Sequence, residues 1–433
     1  MGKQTRRAEK KNRKTAADTQ LMDELFDAAF EYKELKLWKK LWDDQVFAVR
    51  CQDGTVLYAC VMGRNGEYTA IAFYRGAAGL DTLRRLRNNE MLPREEERLE
   101  AMLCQDCVSC SFDAMDDLRL TEQAQLRDYC KRKGRKLRGP KACPHLERFV
   151  PNHLPWNIRK DLDKQHLLEG LRAACAVAKA LQEQKATAES LGIIGNPDLT
   201  GSCPLLVAEE EGWSWQQTEL PDEPKIIYES PTLTELEVKR LKKRKPRGTW
   251  AMGMFLMPQP VIGEGEDTYE PGDKEPYDAP CFPFMICAVD IASGQSIFHV
   301  LYHEEVSFQE MLQNAVTAME KYGCPAIIQV QDERMEAFCE AWTRQVGIKL
   351  QFEEEIPALE DFIAGLFSFS QKNEREAAAE IFQEIIEAMD DPKYLMDITD
   401  DDLMMLCMLS TQAPMPEQLK SRILKEANRR ELI

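Results

Sequence analysis

The chain lacks any apolar run approaching the roughly 20 residues that a membrane span requires. It lacks a secretory signal as well, because the basic residues near its start have no apolar stretch behind them. No phosphate-binding loop or dinucleotide fingerprint occurs, and Gly263-Glu264-Gly265 is too short and too acidic to cradle phosphates. Histidine is scarce, at 5 of 433 residues, and neither His299 nor His303 has a partner motif, so no nucleophile constellation emerges. These absences argue against membrane proteins and nucleotide-loop enzymes, and they make the cytoplasm the expected location. The 14 cysteines are scattered without a framework spacing, so they read as reduced thiols.

What is present is an acidic, ordinary globular composition: 30% charged, 44% apolar, net charge −18. That charge disfavours blanket nucleic-acid binding, yet the basic residues cluster at 3–14, 131–141 and 239–247. Arg6, Arg7, Lys10, Lys11, Arg13 and Lys14 form an electrostatic arm, the candidate contact for RNA or another polyanion.

Two stretches repeat at equal spacing. Gly134–Leu137 followed by Pro144–Phe149 matches Gly347–Leu350 followed by Pro357–Phe362, and a second pairing aligns Gly66, Tyr74 and Leu80 with Gly294, Tyr302 and Phe308. Such a pattern predicts one domain copied and diverged. The expected layout is a disordered basic arm over 1–20, a first α/β copy over 21–185, and a connector with a hairpin over 186–247. A second copy over 248–370 and a helical appendage over 371–433 complete it. In each copy the hydrophobic periodicity and turn signals predict three strands, helix, strand, helix, strand, helix. Asp53-Gly54 and Asn65-Gly66 mark the first two turns.

That order resembles the ribonuclease H-like fold, and the second copy resembles the core of integrases and transposases. The residues that carry the likeness are Ala288-Val289-Asp290, Ser293-Gly294, Tyr322-Gly323-Cys324-Pro325, Asp332 and Gly347-Ile348. The two-copy layout is similar to an uncharacterised bacterial family that pairs two domains of unknown function. The expected fold is therefore α/β: two tandem ribonuclease H-like (βββαβαβα) domains from an internal duplication, with a C-terminal helical appendage. The resemblance implies a pair of Mg²⁺ or Mn²⁺ ions held by three acids from different elements. Asp332 stands at the second acid's position and Glu360 at the third's, with Asp113 and Glu147 as their counterparts in the first copy. The first acid is missing, since Val46–Cys51 and Thr249–Met257 contain no carboxylate. Asp290 ends the antiparallel second strand and falls at the opposite sheet edge. Asp332 therefore reads as a helix cap and Glu147 and Glu360 as first-turn helix acids.

Cys104, Cys107 and Cys110 form CxxCxxC, a zinc candidate, but on a strand Cys107 and Cys110 point to opposite faces. The acidic loop 263–279 would repel phosphate backbones. The balance favours a non-catalytic binding or scaffold protein with no cofactor and an unknown protein partner. Nucleic-acid binding through the basic segments is the alternative, and a metal-dependent nuclease or strand-transferase the second alternative.

Overall fold

A computed structural model describes residues 2–66, 68–183, 187–210, 212–225, 228, 230–261, 280–302, 307–368 and 417–430. The architecture is mixed α/β, with one sheet of eight strands and one of five. Residues Met1–Phe362 form one compact unit and Ile363–Ile433 another.

The first domain opens with α1 (Gly2–Leu35). This helix takes in the segment expected as a loose arm; no proline or glycine falls between residues 3 and 35 to break it. Strands β1 (Phe47–Arg50), β2 (Val56–Met62) and β3 (Ala70–Arg75) follow. The turns between them place Gly54 and Gly66 at φ 89° and 88°, a conformation glycine reaches without a Cβ clash. Then come α2 (Gly76–Arg87), α3 (Glu95–Leu103), β4 (Cys107–Asp113) and α4 (Leu120–Lys133). The domain continues through β5 (Cys143–Phe149), β6 (Trp156–Asn157) and α5 (Asp161–Glu183) to the hairpin β7 (Ser202–Glu209) and β8 (Gly212–Glu219).

These strands run in the order β6-β5-β4-β3-β2-β1-β7-β8. Every pairing is antiparallel except β1 with β7. The period-2 alternation of β1 sends Phe47 and Val49 into the core with Phe30, Tyr129 and Leu171, and Ala48 into the opposite core with Tyr58 and Leu80. A ring of charge ties the sheet to α5. Arg75 pairs with Asp163 at 2.7 Å and Asp106 at 3.2 Å, and Arg148 with Asp106 at 2.5 Å.

The second domain contains α6 (Glu235–Leu241), β9 (Thr249–Leu256), β10 (Phe284–Asp290), β11 (Ser296–Tyr302), α7 (Phe308–Tyr322), β12 (Ile327–Val330), α8 (Glu333–Val346) and β13 (Lys349–Phe352). Residues 357–362 are helical. The strand order is β11-β10-β9-β12-β13, with β12 parallel to both neighbours and β10 antiparallel to both of its own. Met252, Met254, Ile286 and Ala288 pack under α7 and α8, whose apolar stripe runs through Leu312, Ala315, Met319, Phe338 and Trp342. Gly253 lies on the other face, where a Cβ would meet the Leu359 side chain at 3.1 Å.

The first sheet does not repeat this order. Its fourth strand, β4, pairs with β3 rather than β1, and β1 is joined instead by β7. The hairpin expected in the connector is thus a pair of strands within the first sheet. Residues 135–138, expected as a strand, are not one, and Pro144–Phe149 lies on β5, whereas its matched partner 357–362 is helical. Similar short sequences adopt different structures here because their sheet neighbours differ.

In the second unit, α9 spans Glu417–Arg429. The acidic loop 263–279, His303 and residues 372–416 of the appendage lie outside the described residues. No described helix is long and apolar enough to cross a membrane.

Candidate functional site

Asp332 follows β12 and sits at the N-cap of α8, where its Oδ1 accepts the Met335 backbone N–H at 2.8 Å. Ser/Thr/Asp/Asn side chains suit this position because they satisfy an otherwise orphaned helix donor. Burial pushes the Asp332 carboxyl above its ordinary range, opposed by the Met335 N–H and by Arg334 and Arg94. The first domain supplies the cover. Arg94 donates to the Gln331 carbonyl at 3.2 Å. Glu100 on α3 pairs with Arg334 at 3.3 Å and Arg85 at 3.2 Å, while Arg334 also donates to the Met254 carbonyl at 2.7 Å. Glu360 is occupied locally, its Oε1 accepting the Ile356 N–H at 3.3 Å. Among the described residues no group of three metal-ligating side chains includes Asp332 or Glu360. Asp290 ends β10 opposite Trp250, near the start of β9, and is therefore at the far edge of the sheet from Asp332.

The first-domain acids behave differently. Asp113 ends β4, and Glu147 is on β5 rather than in a helical turn. Both reach His145, which lies between them in the alternation of β4 and β5. His145 Nδ1 is 3.0 Å from Asp113, and its Nε2 is 3.4 Å from Glu122 and 3.5 Å from Glu147. Burial raises the Glu147 carboxyl, with His145 and Arg119 opposing. The carboxylates flank opposite ring nitrogens instead of converging on one point, so the cluster does not form a pocket for a metal. The neighbouring cleft, lined by Glu122, Leu146 and Asn157 among others, has about 20 Å³, room for a single water. Sequence reasoning named Asp113 and Glu147 but not His145 as their meeting point, because β5 was not foreseen.

Cys104, Cys107 and Cys110 are all buried and do not converge. Cys107 belongs to the core on one face of the sheet and Cys110 to the core on the other. Cys104 Sγ donates to the Ala101 carbonyl at 3.2 Å, and burial pushes its thiol up to about 11. Arg6, Arg7, Lys10, Lys11, Arg13 and Lys14 are on the N-terminal part of α1, where only the backbone is described. Three of the seven cations in the second basic cluster pair with α1: Arg132 with Asp23 at 2.5 Å, Lys133 with Asp27 at 2.7 Å and Arg135 with Glu34 at 3.5 Å.

One constellation was not foreseen at all. Cys51, Asp53 and His166 bring one donor atom each to within 4.8 Å of one another. In the sequence Asp53 and Gly54 signal only a turn, and nothing places a residue 113 positions away beside them.

With two differently ordered sheets in tandem, the chain defines a two-domain α/β protein. Residues 23–191 match the family described as "Domain of unknown function (DUF7309)" and residues 237–367 the family described as "Domain of unknown function (DUF6930)". The chain carries these two domains of unknown function in tandem. Neither the curated proteins nor the solved structures gave a match to it.

Proposed function

We propose that this is a non-catalytic, cytoplasmic binding or scaffold protein, acting on a protein partner, whose second domain is ribonuclease H-like but without a metal-binding acid set. The order β11-β10-β9-β12-β13, in which β10 alone runs against the other four strands, fits that fold. A fold commonly outlives its chemistry, so the site decides. The observation that carries the reading is the use of Asp332. Two-metal chemistry needs an open carboxylate facing others, whereas this carboxylate caps α8 beneath Arg94 and Glu100 of the first domain. On β9, where a first acid would stand, the sequence is entirely uncharged.

Ion pairing of Arg132, Lys133 and Arg135 to α1 favours a protein scaffold over a polyanion binder, since these cations already serve the fold. The test is cleavage of single- and double-stranded DNA and RNA in Mg²⁺ or Mn²⁺. The proposal expects no metal-dependent cleavage; cleavage lost in Asp332→Ala would sink it.

A further inference from the structure

The turn between β1 and β2 gathers donors that neither domain's proposed role uses. Cys51 follows β1, Asp53 occupies the turn, and His166 and Glu169 project from neighbouring turns of α5. The Asp53 carboxylate is fixed at both ends. Its Oδ1 accepts the Thr55 N–H at 2.9 Å, and its Oδ2 lies 2.9 Å from His166 Nε2.

His166 is 3% exposed, and its Nδ1 has no hydrogen-bond partner among the described residues. The nitrogen that faces Asp53 is Nε2, so a cation shared with Asp53 binds there, with the ring proton held on Nδ1. Cys51 is 4% exposed, and burial, then Glu169 and Asp53, pushes its thiol upward. Glu169 is in turn positioned by the Gln52 N–H, which it accepts at 2.9 Å. A plain His–Asp ion pair explains two of these four residues. Glu169 pairs with Cys51 and the Gln52 N–H, but neither contact explains why a buried thiol lies within 4.8 Å of both the Asp53 carboxylate and the His166 ring.

We propose that Cys51, Asp53 and His166, with solvent completing the shell, bind a zinc-class divalent ion that pins α5 to the β1–β2 turn. The donor set of one sulfur, one imidazole and one carboxylate suits a borderline ion, because hard cations take all-oxygen shells. Bonds of about 2.0–2.3 Å put tetrahedral donors roughly 3.5 Å apart. Donors now within 4.8 Å must therefore close by about an ångström. Asp53, whose side chain is 38% exposed at a glycine-containing turn, is placed to supply that movement and to admit the ion. Binding replaces the S–H bond of Cys51 by a sulfur–metal bond and releases that proton to solvent.

The test uses the full chain, stripped with a chelator and titrated with Co²⁺ and then Zn²⁺. A single equivalent of Co²⁺ is expected to give a thiolate-to-metal charge-transfer band that Zn²⁺ abolishes. The band disappears in Cys51→Ser, and affinity falls roughly tenfold or more in Asp53→Asn, in line with the loss of one metal-site group. Asp53→Asn keeps the Thr55 contact at a surface turn, so it remains informative if Cys51→Ser or His166→Gln folds poorly. Absence of the band in the wild type, its survival in Cys51→Ser, or equal affinity of wild type and Asp53→Asn would each overturn the proposal. None of these outcomes bears on Asp332, so the reading of the second domain stands or falls separately.

Discussion

Replacing Asp332 separates a helix cap from a metal ligand. In Asp332→Ala the Met335 N–H loses its acceptor at 2.8 Å, and loss of an N-cap costs about 1 kcal/mol. For a domain of this size that lowers the melting temperature by about 3 °C. Asp332→Asn keeps an oxygen at the same place, and Asn caps as well as Asp. It also removes a charge that burial disfavours. The native carboxyl is raised above its unfolded value, so its contribution to stability is complete below the unfolded pKa and is lost as pH rises through the raised folded pKa. The Asn variant, which cannot ionise, should therefore gain on the wild type across that rise. At neutral pH it should melt at or above the wild-type temperature. The assay is thermal melting with hydrogen exchange at the start of α8, across pH. If Asn proves as damaging as Ala, then Arg94 and Arg334 need the negative charge and the cap argument fails.

Asp163→Ala should be the more severe lesion. It strips the 2.7 Å partner from Arg75 and leaves Arg148, 5% exposed, with less compensation. A cost of roughly 3–5 kcal/mol is expected in urea unfolding, and a loss under 1 kcal/mol would show that the ring is dispensable. Gly170→Ala should cost about 1–3 kcal/mol by overpacking, because its Cβ would lie 2.8 Å from the Phe73 ring. Adding Phe73→Leu should recover part of that loss, and strict additivity would refute direct contact. Electrophoretic shift with RNA should show no binding at physiological salt. A steep salt slope that falls when Arg6, Arg7, Lys10 and Lys11 are neutralised would favour the nucleic-acid reading.

From β9 onward the order of strands and helices in the second domain was legible, whereas α6 fell in the segment expected as a connector. Helix α7 begins at a Ser307 cap with Glu310 returning the bond, and Asp332 and Gly347 bracket α8. These are local signals, and the β-turn glycines of β1–β3 are of the same kind. The first domain's sheet order was not legible. Whether β4 or β7 lies beside β1 depends on pairing across the chain, which strand-forming sequences such as Cys107–Asp113 do not specify by themselves. The repeat of Gly134–Phe149 with Gly347–Phe362 misled for that reason. Gly134 and Gly347 both end helices with positive φ, at 68° and 89°, so the likeness is real at the caps. Beyond them, β5 is held between β4 and β6 whereas 357–362 coils against Gly253. Within the candidate sites, the acids were visible as residue types. Their partners His145, Arg94 and Glu100 were not, because each arrives from a distant segment.

The most direct test of the central claim is calorimetric titration of Mn²⁺ into the wild type and Asp332→Ala side by side. The account predicts no difference between the two, because Asp332 serves α8 and not an ion. Saturable binding to the wild type that disappears in Asp332→Ala would contradict it and restore the metal-dependent enzyme.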